Sequence, residues 1–235
     1  MFDSLNVCCV TDKQADITPQ NVLTEAEDDS TCRLIEEQET QTASIPSTEG
    51  GSLVYPSRRA STGISGYPIL TDYGKARFAD PINTDPAMPD IYRAPEIVLR
   101  LPWGYAVDMW SIGIMTLELL EGKKVLYPID EEDRYNPVLA LSQYIGLLGH
   151  PPPEMVKQSK YSSLFDEAGF WRATNYPIPE TSFSDFVTTI PPGEEKELFL
   201  KFIRKLLTWD QELRATANQL AGDEWLMMRY DDVNG

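Results

Sequence analysis

Two stretches of the chain carry sustained hydrophobic order, and they differ in kind. From Ala106 to Leu120, the residues Val107, Met109, Trp110, Ile112, Ile114, Met115, Leu117, Leu119 and Leu120 occupy nearly every side of a helix. That pattern predicts a rod buried all round at the centre of a core. From Glu195 to Trp209, Leu198, Phe199, Phe202, Ile203, Leu206 and Leu207 recur at three- and four-residue spacing, so this second helix presents one apolar face. Thr216-Ala217-Asn218-Gln219-Leu220 predicts a last short helix with Thr216 near its N-cap, its end packed by Trp225 and Leu226. Strands are few: Val22-Leu23 and Ile69-Leu70-Thr71 are short apolar pieces that can pair as a hairpin.

Between those two pieces the pattern collapses. Residues 24 to 49 hold Glu25, Glu27, Asp28, Asp29, Glu36, Glu37, Glu39 and Glu49 against the single Arg33, with many Ser and Thr and few aromatics. Such a stretch cannot bury enough apolar surface to offset its own ordering, so 24 to 66 reads as an acidic, flexible insertion. Near its end, Arg58-Arg59-Ala60-Ser61 resembles a basic phosphoacceptor site, a pattern short enough to arise by chance, and Ser61 stays unassigned.

The formal net charge of −17 speaks against nucleic acid, whose phosphates it would repel, and for a basic partner. Cys8, Cys9 and Cys32 form neither a disulfide ladder nor a metal-ligand spacing, and His150 is alone in a Pro-rich loop, so reduced thiols and no zinc are expected. The most apolar run, Ile112 to Leu120, contains Glu118 and is too short to span a bilayer, and no signal peptide is apparent. Cytoplasm, nucleus or both is the expected location.

The chemistry is carried by an ordered set of motifs. Asp72-Tyr73-Gly74 by itself could be any turn in which Gly supplies a positive φ. It is followed by Tyr92-Arg93-Ala94-Pro95-Glu96 and then by Asp108-Met109-Trp110-Ser111-Ile112-Gly113. Upstream, Asp16 and Asn21 stand five positions apart in Gln14-Ala15-Asp16-Ile17-Thr18-Pro19-Gln20-Asn21, a segment that in isolation is an ordinary polar loop. Together these motifs resemble the second half of a protein kinase. The resemblance implies that Asp16 accepts or orients the proton of the substrate hydroxyl, and that Asn21 and Asp72 hold Mg2+ for ATP. It further implies that Asp108 receives hydrogen bonds from the catalytic-loop backbone and that Glu96 pairs with Arg214 in the helical core.

The wording departs from the family at three places. Gln14 stands for the usual His, Ala15 for Arg or Thr, and Thr18 for the Lys that steadies the transferred phosphoryl group. Only 15 residues precede Asp16 and no Gly-x-Gly-x-x-Gly occurs, so the N-terminal ATP lobe reads as missing, with Met1 to Leu5 as the tail of a helix. Within the CMGC group, the chain is similar to the serine/arginine-rich protein-specific kinases and their divergent fungal relatives. That similarity rests on Gly74-Lys75-Ala76-Arg77-Phe78, Pro89-Asp90-Ile91-Tyr92-Arg93, Leu101-Pro102-Trp103-Gly104-Tyr105, Leu147-Leu148-Gly149-His150-Pro151-Pro152-Pro153 and Glu194-Glu195-Lys196-Glu197-Leu198-Phe199. It implies a basic, Arg/Ser-rich protein substrate and gives Asp130, Glu131, Glu132 and Asp133 a docking role; such a run more commonly only solvates a loop.

The expected fold is mainly α (α+β), a protein-kinase-like C-terminal helical lobe with a short β-hairpin. Residues 1–23 are read as the end of a helix and the catalytic loop, 24–66 as the insertion, 67–96 as the magnesium loop and activation segment, and 97–230 as the helical subdomain. Three readings of function follow: a serine/threonine kinase whose chain alone is inactive, a pseudokinase that binds Arg-rich proteins, or a gene fragment without activity.

Overall fold

A computed structural model describes residues 12–25, 28–56, 67–78 and 83–228. The readings made for Met1 to Leu5, Cys8, Cys9 and Ser61 lie outside the described residues.

The order of elements places two loops face to face. Strand β1 (Asp12–Lys13) precedes the segment of residues 14 to 21, and β2 (Val22–Thr24) follows it. After α1 (Ser30–Gln41) and a small hairpin of β3 (Ser47–Glu49) and β4 (Ser52–Val54), the chain returns through β5 (Pro68–Leu70) and β6 (Arg77–Phe78). β2 and β5 pair antiparallel with Val22 opposite Leu70 and Thr24 opposite Pro68, while β1 pairs antiparallel with β6. The two ladders therefore bracket both Asp16 and Asp72. The hairpin legible in the sequence is present, and the insertion between its strands carries regular structure of its own. No residue of α1 is buried and β3 and β4 are wholly exposed, as expected where acids outnumber apolar groups.

The remaining elements are helical: α2 (Pro95–Val98), α3 (Ala106–Glu121), α4 (Pro137–Leu148), α5 (Pro153–Gln158), α6 (Phe183–Phe186), α7 (Glu194–Leu206) and α8 (Ala217–Leu220). α3 is the central rod, with Val107, Met109, Trp110, Ile112, Ile114, Met115 and Leu117 all buried. Only Leu119, near its end, faces solvent. Gly113 sets how closely α7 approaches: a Cβ there would lie 2.7 Å from Leu207 Cδ2, so the two helices meet where α3 has no side chain. α7 is amphipathic as expected, with acids in its first turn and Arg204 and Lys205 in its last, an order that suits the helix dipole. It stops at Leu206 rather than Trp209, and Leu200 rather than Leu198 completes its buried face. Thr216 and Gln219 form a capping box at α8, and Trp225 packs on Phe199 and Phe202 with ring centroids 4.8 and 5.0 Å apart. Among the described residues, no helix is long and apolar enough to cross a membrane.

Candidate active site

Residues 14 to 18 form a buried segment held from below by the central rod. Asp108, in the first turn of α3 and itself 1% exposed, accepts the main-chain N–H of Gln14 at 3.0 Å on Oδ2 and that of Ala15 at 2.8 Å on Oδ1. Ala15 sits at φ 53°, the left-handed region that costs an L-residue roughly 1–2 kcal/mol. The two bonds to Asp108 hold that turn. It delivers Asp16 into a position only 5% exposed. Thr18 is then extended, and Pro19–Asn21 make one 3-10 turn.

Two bridges join this segment to the loop that carries Asp72. The N–H and hydroxyl of Thr71 both donate to the Asn21 carbonyl, at 2.8 and 3.0 Å, which locks the end of β5 beside the catalytic loop across 50 residues of sequence. The Gln14 amide donates to the Asp72 carbonyl at 2.6 Å and to that of Thr71 at 3.2 Å. Gln14 is thus more than a departure from a family pattern. Its side chain ties the two loops directly, a role no periodicity or spacing could reveal. Asn21 Nδ2 in turn donates to the Asp16 carbonyl at 2.9 Å.

Asp72 adopts φ 58°, ψ 67°, and its carboxylate accepts the Gly74 N–H at 3.3 Å. A 3-10 turn, Tyr73–Lys75, follows and brings Lys75 Nζ to 3.3 Å from Asp16 Oδ2. Lys75 is the second contact that the sequence left unread. It follows Asp72 by three positions, and nothing in the chain's pattern aims it at Asp16.

The activation-segment end is fixed to the helical core. Arg214 Nη1 lies 2.8 Å from Glu96 Oε1 and Nη2 3.1 Å from Oε2, with the two side chains 0% and 1% exposed. The guanidinium also donates to the carbonyls of Ala106 and Thr208, at 2.7 and 3.0 Å. A buried pair of this sort adds little net stability, yet loss of one partner costs about 3–5 kcal/mol. Nearby, the Tyr92 hydroxyl donates to Glu118 Oε2 at 2.8 Å and the Tyr144 hydroxyl to the Arg93 carbonyl at 2.6 Å. Burial and the Glu118 carboxylate push the Tyr92 hydroxyl pKa up, so it stays a donor.

The acids proposed for docking lie elsewhere. Asp130 folds its own turn, accepting the N–H groups of Glu132 and Arg134, both at 3.0 Å. Arg134 pairs with Glu132 at 2.6 Å and Asp130 at 3.5 Å. Glu131, Glu132 and Asp133 are exposed, and Asp130, Glu131 and Glu132 line a cavity of about 430 Å³ with Asn175 and Tyr176. A second cavity of about 250 Å³ opens beside the activation-segment end, between Arg93, Arg100, Tyr135 and Tyr161.

The bonds above bring a buried acid, Asp16, and the amide of Asn21 beside the loop that carries Asp72, with the Glu96–Arg214 pair anchoring the segment that follows. A family model described as the protein kinase domain matches residues 63–226, well over half of the chain. The chain belongs to the protein kinase family. A serine/threonine protein kinase of Aspergillus fumigatus is 31% identical over 205 residues, which cover 85% of this chain and 51% of that protein. The dual specificity tyrosine-phosphorylation-regulated kinase mbk-2 of Caenorhabditis elegans is 31% identical over 186 residues, 71% of this chain and 22% of its own. A putative dual specificity tyrosine-phosphorylation-regulated kinase 3 homolog of Drosophila melanogaster is 31% identical over 189 residues, with the same coverages. The chain therefore spans about half the length of the fungal relative and less of the animal ones.

The matched kinase span takes in Asp72, Glu96, Asp108 and Arg214. Asp16 and Asn21 stand before it, in a segment bonded to Thr71 and Asp108. Protein kinases use ATP and Mg2+, and the donor set here suits that ion. With Nδ2 of Asn21 donating to the Asp16 carbonyl, its Oδ1 and the Asp72 carboxylate are the oxygens that would hold a hard cation. Among the described residues, no group of three or more His, Cys, Asp or Glu could hold a metal. One amide and one carboxylate would be a sparse set of the kind that holds Mg2+ together with substrate phosphates and water.

Proposed function

We propose that this chain supplies the catalytic loop, the magnesium ligands and the substrate platform for serine/threonine phosphorylation of basic, Arg/Ser-rich proteins. The observation that carries the reading is the double bridge from Thr71 to the Asn21 carbonyl, at 2.8 and 3.0 Å, which brings the segment holding Asp16 and Asn21 against the one holding Asp72. Magnesium ATP, when bound, supplies the phosphoryl group and neutralises the charge that develops as it leaves. Asn21 and Asp72 hold the cation. Asp16 orients the substrate hydroxyl and accepts its proton. The net charge of −17 and the exposed acids at 131 to 133 supply the attraction for Arg side chains.

The pattern Gly-x-Gly-x-x-Gly does not occur in these 235 residues, so the chain by itself is expected to transfer no phosphate, and to transfer it only beside a nucleotide-binding lobe. A second reading, a pseudokinase that only binds Arg-rich proteins, is favoured by Thr18, which removes a positive charge from a reaction whose catalysis is mostly electrostatic. One experiment separates the two. The chain is joined behind the nucleotide-binding lobe of an active kinase and given magnesium ATP with an Arg-Ser peptide. Kinase function predicts phosphoserine that Asp16→Asn and Asp72→Ala each abolish; peptide binding with no transfer by the fusion favours the pseudokinase, and failure to bind removes the substrate proposal.

A further inference from the structure

We propose that Lys75 is the phosphate-holding cation of this site, taking the role left open by Thr18. The inference rests on the phosphoryl-transfer reading above. Thr18, two positions after Asp16, is uncharged and 6% exposed, so the catalytic loop itself offers the phosphoryl group no cation. Among the described residues, the cation paired with Asp16 is Lys75, with Nζ 3.3 Å from Oδ2. It arrives from the opposite loop.

Stability does not account for this contact. The Lys75 side chain is 65% exposed and that of Asp16 only 7%, and a pair with one partner so exposed contributes about 0–1 kcal/mol. Its backbone, in contrast, is held on both sides. Asp72 Oδ1 accepts the Gly74 N–H at 3.3 Å, and the Ala76 N–H donates to the Tyr73 carbonyl at 3.0 Å. Arg77 Nη1 donates to the carbonyls of Lys75 and Ala76 at 3.0 and 3.2 Å. A fixed backbone with a solvated ammonium at the substrate acid is the arrangement a phosphate-binding lysine needs.

The chemistry follows from the donor count. An ammonium has three N–H donors; one directed at Asp16 leaves two for phosphoryl oxygens. During transfer the bond from phosphorus to the ATP bridging oxygen breaks, a bond to the substrate oxygen forms, and the hydroxyl proton passes to Asp16. Lys75 keeps its charge throughout and answers the negative charge on the moving group. Because one turn carries both Asp72 and Lys75, the metal ligand and this cation are positioned as a unit.

The test uses the intact chain and magnesium tripolyphosphate, a probe that needs no adenine pocket. The side-chain ammonium signal of Lys75 and the amide signals of Asn21 and Asp72 are followed by 15N NMR as the probe is added. The expected result is a Lys75 shift that saturates together with the Asn21 and Asp72 shifts. Lys75→Met should weaken probe affinity roughly tenfold, the usual worth of a charge-assisted hydrogen bond, whereas Lys75→Arg should retain most of it. If Asn21 and Asp72 respond while Lys75 is silent and Lys75→Met binds as well as wild type, the inference is overturned and the kinase reading stands. A Lys75 shift no larger than that of the exposed Lys157 is general anion screening and also overturns it. If none of the three residues responds, the inference is overturned, and the phosphoryl-transfer reading is decided separately by the fusion assay above.

Discussion

Asp108 shows how much one side chain can be asked to do. Its two oxygens take the N–H groups of Gln14 and Ala15 at 3.0 and 2.8 Å in a fully buried setting, and one of those residues is held in a left-handed conformation. Asp108→Ala strands two buried donors, each worth about 1–3 kcal/mol when unpaired. The variant should lose roughly 2–5 kcal/mol in urea unfolding, and Asp108→Asn, which keeps one acceptor, should lose less. Family spacing made Asp16, Asn21, Asp72, Glu96, Asp108 and Arg214 readable as a set, because each stands at a fixed interval from a recognisable motif. Gln14 and Lys75 were not readable as parts of it. Their contributions come from where a flexible side chain ends, and spacing says nothing of that.

At the scale of elements, the two helices with clear periodicity emerged from the sequence because their burial is written in every turn. Within the insertion between β2 and β5, read from composition as acidic and flexible, α1 was not legible, since none of its residues is buried. The end of the central helix is held by a device that the sequence also conceals. Glu121 accepts the N–H groups of Thr188 and Thr189 at 2.9 and 2.8 Å and the Thr188 hydroxyl at 2.6 Å. Burial by itself would raise its carboxyl pKa, but these bonds from Thr188 and Thr189 outweigh it and hold the group down to about 2. A folded pKa below the unfolded value means that this stabilisation is complete above about pH 4.5 and is lost as pH falls towards 2. Wild type should therefore lose stability relative to Glu121→Gln over that interval, measured by thermal unfolding at stepped pH; parallel curves for the two proteins would show the carboxylate to be unlinked to folding.

Over the whole molecule, the charge and the cleft compete for any added cation. The net charge of −17 offers many weak exposed carboxylates, on α1 and on the 130–133 turn, whereas the phosphoryl-transfer account needs one built position between the catalytic loop and the Asp72 loop. Mn2+ distinguishes these, since it accepts the oxygen ligands of Mg2+ and broadens nearby NMR signals. With tripolyphosphate present and salt high enough to screen surface carboxylates, the account predicts that substoichiometric Mn2+ first broadens the amides of residues 16–21 and 71–75 together, and that Asp72→Ala abolishes the effect. Broadening that begins instead at residues 130–133 or along α1, with the two loops untouched, would contradict it.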